Sequence, residues 1–466
     1  MGMRLTAMIL GLITITMQSL NAQQKYVFTV KDAVEHALQN VNDIKNLKID
    51  RRIQDAKNKE ITGQALPQVS GTVSLQRFFQ IPVTLLPDFV SPQVYSVLEE
   101  QGVKDGNGVP IVKPNDPVQF FPAQFGVPWQ ASAGLAFQQL LFQPDVFVGL
   151  QARGTALKYA DLNVKVMEDS IKSNVFRSYY SVLIAEKRKV FLVEGIQRLE
   201  KLLSDQNKLY QNGFAERLDI DKTQVSLNNL KTTNTQFDNL IYIGYASLKY
   251  ALGLSQKDTL TLVDTLSVDF VKENILEAST FSYEDRNEIK LLNTVKELQQ
   301  LDVKRNKLAY MPTVSAYFNY SANALRQQFN FFNSDPWFKT SVAGLNINVP
   351  IFDGLQKQYK INQARLTLDK TANNIENLEK VIDFQREAAL HSFKNSLSTL
   401  DVQERNMQLA ERVFNTTKKK YESGLGSSFE VLQADQEYQT AQSNYFQALF
   451  DAVTAKIGYY RSLGKL

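Results

Sequence analysis

Apolar residues recur every seven positions at Leu150, Leu157, Val164 and Ile171, and again at Ile361, Leu368, Ile375 and Ile382. The second series lies 211 residues beyond the first. After Ile171 the phase slips by four and resumes at Val182, Ile196, Leu203 and Tyr210; the second series slips at the same point and resumes at Phe393, Met407, Phe414 and Tyr421. Each run ends in a glycine turn, Tyr210-Gln-Asn-Gly213 and Tyr421-Glu-Ser-Gly424, and another helical pattern follows. The pattern predicts one long helical hairpin written twice, near 145–252 and 354–463. A four-residue slip is a stutter that locally unwinds a supercoil, so a change of bundle curvature is expected at that level. Each outgoing helix would be roughly 100 Å long at 1.5 Å per residue, too long for the core of one compact domain.

Ahead of each hairpin the period changes. Val34, Leu38, Val41, Ile44 and Leu47 predict one helix over 30–62, ending at Gly63. Val69, Gly71, Val73 and Leu75 then alternate with polar residues, as do Ala131, Ala133, Leu135 and Phe137 after Trp129, the period of a strand with one apolar face. The second half replays this order. Asn287-Glu-Ile-Lys290 echoes Asn42-Asp-Ile-Lys45 and Met311-Pro-Thr-Val-Ser315 echoes Leu66-Pro-Gln-Val-Ser70, both at an offset of 245. Val314, Ala316, Phe318 and Tyr320, then Leu345, Ile347 and Val349, mark two more strands. By Gly344, which matches Gly134, the offset has fallen to 210, so the first strand-to-strand loop is 35 residues longer than the second.

That loop, 77–128, is rich in proline, glycine and aromatics, and its pattern predicts no internal structure. The expected organisation is a first repeat over 23–254 with strands near 67–79 and 129–142. A linker over 255–282 follows, in which Leu260 and Leu262 suggest a short strand. The second repeat covers 283–466, with strands near 312–322 and 338–350.

Composition narrows what such a chain does. In 466 residues, 52 Lys and Arg against 48 Asp and Glu give a formal charge of +4, too mild and dispersed for nucleic acid. There is no cysteine, which excludes disulfides, thiolate metal sites, a cysteine nucleophile and a lipid-modified N-terminal cysteine. His36 and His391 have no partner at ligand spacing and read as surface residues. No phosphate loop, paired catalytic carboxylates or nucleophile elbow is present, so neither an enzyme nor a cofactor is expected. Residues 1–22 read as a secretory signal, with Arg4, an apolar run from Ala7 to Met17 and Ala22 at the cleavage point. An anchor helix is the alternative, but the run is too short to span a bilayer, and no later stretch is long and apolar enough either.

In an exported chain without a transmembrane helix, four strands of about ten residues have the length of tilted membrane-spanning strands. Trp129 and Trp337 each open the second strand of a hairpin, and Phe78, Phe79, Phe331, Phe332 and Phe338 lie nearby, as a membrane-interface girdle requires. Soluble amphipathic hairpins packed on the helices are the alternative. Four strands cannot close a barrel and an open edge cannot sit in lipid, so copies must assemble, two giving eight strands and three giving twelve.

The ordered set resembles the TolC-type outer-membrane efflux proteins. The resemblance rests on Phe28-Thr-Val-Lys-Asp-Ala-Val-Glu-His-Ala-Leu38, the junctions Leu66-Pro67 and Met311-Pro312, and Val349-Pro-Ile-Phe-Asp-Gly354. It rests also on the turns Gln211-Asn-Gly-Phe-Ala-Glu-Arg-Leu-Asp219 and Glu422-Ser-Gly-Leu-Gly-Ser-Ser-Phe-Glu430. It covers nearly the whole mature chain. The implied fold is mainly α with transmembrane β, built as a duplicated helix–strand–strand–long-helix–helix repeat. In a homotrimer this gives a 12-stranded β-barrel in the outer membrane, continued across the periplasm by a 12-helix α-barrel with a mixed belt at mid-height. The implied function is a passive exit duct for efflux or type I secretion, meeting a periplasmic adaptor protein and an inner-membrane pump.

Residue by residue, the adaptor-contacting tips match Gly213, Phe214, Gly424 and Leu425. The family's acidic constriction matches Glu430, which keeps the carboxylate, and Gln433, which does not; Asp219 is the aligned position in the first copy. The resemblance makes Glu430 a gate or cation site, since a ring of like charges near an axis repels itself unless offset. Read without the resemblance, Glu430 is an acidic residue favoured by its helix dipole. The competing identity for the whole chain is a periplasmic coiled-coil adaptor or scaffold, which would carry compact β modules rather than isolated strands.

Overall fold

The computed structural model describes residues 24–115, 117–265, 271–272, 281–333 and 335–466. The signal expected at 1–22 lies outside them, as does most of 266–280 in the expected linker. The described chain forms two units, one from residues up to 57 with 152–303 and 362–466, the other from 58–151 and 304–361.

The strand-bearing unit contains β2 (Gln68–Arg77), β5 (Trp129–Phe142), β7 (Thr313–Arg326) and β8 (Phe338–Asn348). They form one antiparallel sheet in the order β2-β5-β7-β8. Directly paired residues share a face. Val69 pairs with Phe137, Phe137 with Phe318 and Phe318 with Ala343; Gly71, Leu135, Tyr320 and Ser341 follow in the next rank. All four apolar series therefore lie on one face, where Ala131, Ala133, Val314 and Ala316 are half-buried and the larger edge residues are exposed: Val73 is 86% exposed, Leu345 64%. The opposite face carries Ser70, Thr72, Ser74, Ser132, Asn319 and Ser321 in register, with Ser74 and Ser132 hydroxyls 2.8 Å apart.

The loop predicted to lack structure does not lack it. It contains β3 (Val83–Pro87) paired with β4 (Phe120–Gln124), and α3 (Ser91–Glu100) between them. Asp88 explains the helix start, since its carboxylate accepts from the Val90 and Ser91 amides, while Pro92 occupies the first turn, where no N–H is missed.

The helical unit opens with β1 (Lys25–Phe28), which pairs in parallel with β6 (Thr259–Leu262), the short strand expected at Leu260 and Leu262. The helix expected over 30–62 is two, α1 (Val30–Asn40) and α2 (Asn42–Gln64), because Val41 is extended at ψ 131°. Thr29 and Asp32 form a capping box that starts α1. The long helices are α4 (Pro144–Gln211), α5 (Arg217–Leu252), α7 (Gln356–Glu422) and α8 (Ser428–Ser462); α6 (Asn287–Leu308) precedes β7.

The internal repeat extends to how these elements meet. Gly253, the C-cap of α5, has φ 72°, and a Cβ there would stand 3.1 Å from the Asn40 carbonyl oxygen, two residues before α2 starts. Gly464, 211 residues on, has φ 69°, and its Cβ would stand 2.7 Å from the Asp285 carbonyl oxygen, two residues before α6 starts. Both copies thus seat the end of the return helix against the chain break ahead of the strand-bound helix. Only glycine combines the left-handed φ with that approach.

The main core gathers Ala33, Ala37, Val175, Tyr179, Phe393, Leu400, Phe446, Val453 and Ile457. It sits at the stutter. Between Ile171 and Ile184, α4 also buries Tyr180, Val182 and Leu183, more than one seam can hold, because α1 and the β1–β6 pair pack there too. Tyr179 ties these layers by donating its hydroxyl hydrogen to the Phe28 carbonyl at 3.0 Å, and burial pushes its pKa up to about 12. His36, read as a surface residue, instead packs its ring on Tyr26 and Phe28 at 5.4 and 5.1 Å, and burial lowers its pKa; His391 is exposed and bonded to Glu387.

Candidate functional site: the hairpin tips

Two turns of one construction close the hairpins. At the first, Gly213 has φ 81°, its amide bonds the Tyr210 carbonyl at 2.9 Å, and the Phe214 amide bonds that of Leu209 at 2.8 Å. At the second, Gly424 has φ 73°, with Gly424 to Tyr421 and Leu425 to Lys420 both at 2.9 Å. This double bond to the last carbonyls ends each outgoing helix on a left-handed glycine. It leaves one apolar side chain standing outward from each turn, Phe214 82% exposed and Leu425 83%.

The return helices start differently. The Ser427 hydroxyl caps α8 by accepting from the Glu430 amide at 3.2 Å, whereas Glu216 gives α5 no side-chain cap. Glu430 is exposed, and its carboxylate leans back on its own turn, 3.3 Å from where a Cβ on Gly426 would stand. Gln433 is exposed and bonds Glu437 at 3.1 Å. It lines an open groove of about 720 Å³ between α5 and α8, with Asp221 and Lys222, whose ammonium lies 5.3 Å over the Phe429 ring. Asp219 faces the other hairpin: with burial, its charge and that of Asp205 raise the pKa of Tyr421. The three carboxylate-position residues thus have three separate environments.

The feature that sequence reasoning missed lies two turns into α8. Asp435 on α8 is 1% exposed and accepts from Arg198 Nε on α4 at 2.9 Å, with Gln439 as a second donor. The guanidinium also lies over the rings of Phe414 and Tyr438, at 5.4 and 5.2 Å. Burial raises the Asp435 pKa and Arg198 opposes that rise. The pair borders a cavity of about 420 Å³ between α4 and α7, which Tyr421 and Lys418 also line. Among the described residues no cluster could hold a metal ion.

At the strand ends, Arg77, Trp129 and Arg326 stand level in the sheet. Trp129 meets Phe329 and Phe331 at 5.1 and 6.5 Å, Phe331 meets Trp337 at 6.4 Å, and Arg77 lies over Trp129 and Phe79. Phe331 is buried in this cluster; Phe78 is half-buried, and Phe79 and Phe338 are exposed.

Residues 296–465 match the family model for outer membrane efflux proteins. Outer membrane protein TolC of Vibrio cholerae is 20% identical over 342 residues, covering 72% of this chain and 77% of that protein. Proteases secretion protein PrtF of Dickeya chrysanthemi is 16% identical over 342 residues, covering 71% and 72%. Among solved structures, the Campylobacter jejuni CmeC outer membrane channel superposes with a TM-score of 0.72 at 16% identity, covering 94% of this chain and 85% of that one. CusC does so at 0.70 and 15% identity, covering 96% and 95%. The duplicated hairpins, the four-stranded sheet and these matches agree: residues 296–465 fit the pattern of outer membrane efflux proteins, and the chain shares its fold with solved outer membrane channels.

Proposed function

We propose that this protein is an outer-membrane exit duct of a tripartite efflux or type I secretion system, working as a homotrimer. The observation that carries the reading is the sheet: four antiparallel strands with one exposed apolar face, one polar face and, among the described residues, two edges without a partner strand. Such a sheet is unstable in water and in lipid alike unless further strands close it. Three copies supply twelve strands, apolar side to lipid and polar side to the lumen. Trp129, Trp337, Phe78, Phe79 and Phe338 then form the interfacial girdle, with Phe331 buttressing the two tryptophans from behind.

Twelve long helices would continue the barrel as a tunnel across the periplasm. Phe214 and Leu425 are the apolar contacts offered to a periplasmic adaptor coupled to an inner-membrane pump, and Glu430 is the charge at the gate. Gln433 beside Lys222 makes that gate less acidic than a double carboxylate ring. The duct performs no chemistry of its own; solute passes through it. Support for these roles comes from the matching turns, from the outer membrane efflux protein family model and from a relative named as a proteases secretion protein. Membrane fractionation with a heat-modifiability gel tests the reading. The protein should run in the outer-membrane fraction and change mobility on boiling. Recovery wholly in the soluble periplasm overturns the duct in favour of an adaptor or scaffold.

A further inference from the structure

Among the described residues, nothing covers the apolar side chains of the excursion between β2 and β5. Val83, Leu85 and Phe120 on the β3–β4 ribbon are each more than half exposed. Helix α3 buries nothing, yet Val90, Val94 and Val97 line one face of it, 53, 50 and 56% exposed. A ten-residue helix and a two-stranded ribbon are each marginal in water. A continuous apolar stripe on such elements marks a contact surface.

Position selects the occupant. The excursion leaves from β2, one edge of the sheet, and β8 is the other edge. Arg77 at the end of β2 is level with Trp129 and Arg326, so the excursion and the β7–β8 turn emerge at the same end. On that turn Phe332 is 92% exposed and Phe329 52%, an apolar surface also without cover. Within one chain three strand spacings separate β2 from β8, about 14 Å. When copies close a barrel, β2 abuts the β8 of the next copy, one spacing away, about 5 Å. Charge disfavours a lipid surface, because Asp88, Glu99, Glu100 and Asp105 outnumber Lys104 and Lys113 and would repel anionic headgroups.

We propose that the Val90–Val94–Val97 stripe of α3 packs on the Phe329–Phe332 turn of the neighbouring copy, a subunit contact beyond the strand seam. This rests on the trimer reading. It gives the longer loop of the duplicated pair a role that its shorter counterpart lacks, that of clasping the next subunit.

The absence of native cysteine makes the test clean. The full-length Val97→Cys, Phe332→Cys double variant is purified in detergent, its mass taken by light scattering, then oxidised and run on a non-reducing denaturing gel. The contact predicts covalent species of two and three chains. A trimer by light scattering that yields only single-chain bands overturns the contact and leaves the duct reading standing. A single-chain mass by light scattering overturns the duct reading and the contact with it. In parallel, Val94→Asp with Val97→Asp should lower the temperature at which the trimer dissociates in detergent. An unchanged dissociation temperature overturns the contact.

Discussion

The two hairpins share one trace but bury opposite members. In the first, the outgoing helix α4 runs through the core, carrying Ile171, Val175, Tyr179, Tyr180 and Leu183, while the return helix α5 buries six residues. In the second, the outgoing helix α7 is the exposed one, and the return helix α8 buries sixteen. Helices α4 and α8 are therefore central to the helical unit and α5 and α7 are its flanks. The flanks expose large apolar side chains, Tyr242 at 74% and Ile243 at 55% on α5, Phe384 at 73% and Leu409 at 52% on α7. The two copies share the path of the chain, and their place within the helical unit decides which copy of each helix is core. The exposed flanks repeat, in helices, what the open edges β2 and β8 display in the sheet.

Arg198 and Asp435 carry this divergence in side chains. By the 211-residue offset their counterparts are Leu409 and Gln224, both exposed. The charged pair joins the two central helices, and the counterpart positions face away on the flanks. Arg198→Ala should therefore destabilise the helical unit by about 3–5 kcal/mol, since it strands Asp435 in a site 1% exposed. Leu409→Ala, which strands no charge, should cost clearly less than Arg198→Ala. Chemical denaturation of both variants measures the difference, and equal losses would erase the distinction between central and flanking helices.

Where the copies agree, paired substitutions should agree as well. Gly253→Ala and Gly464→Ala each force a Cβ toward a backbone carbonyl at positive φ, and each should cost about 1–2 kcal/mol. Thermal melting of the single and double variants reads this. A neutral result at either glycine would show that its junction relaxes and that the repeat there is only geometric.

The smallest effect on stability is expected at the tips, where the copies differ in charge placement. Glu430 is exposed and leans on its own turn, so Glu430→Gln should leave the melting temperature nearly unchanged. It should alter single-channel conductance and block by polyvalent cations in a planar bilayer. Asp219→Asn, facing Tyr421 rather than the α5–α8 groove, should change both less. Conductance and block identical to the unsubstituted channel in Glu430→Gln would remove that residue from the gate.

Sequence reading reached what repeats with a simple period. Strand alternation fixed which face is apolar, and the register later aligned Val69, Phe137, Phe318 and Ala343 on it. The break at Val41 escaped because apolar spacing runs through it unaltered. The echo of Asn42 in Asn287 marked it nonetheless, since both asparagines open a helix. Helix α3 and the β3–β4 ribbon were hidden by proline, which here sits at a helix start and along a two-stranded edge, places that tolerate it. Arg198 and Asp435 are 237 residues apart, and charges on long helices usually mark a solvated face. The substitution of Leu409 and Gln224 at the matching positions was the available signal.

In the proposed duct a single chain is an incomplete wall, with flanking helices and edge strands that only further copies complete. Native mass spectrometry of the full-length protein released from detergent tests it most directly. A single assembly of three chains is expected, giving twelve strands and twelve long helices. A stable monomer, or an assembly of two or four chains, would contradict it.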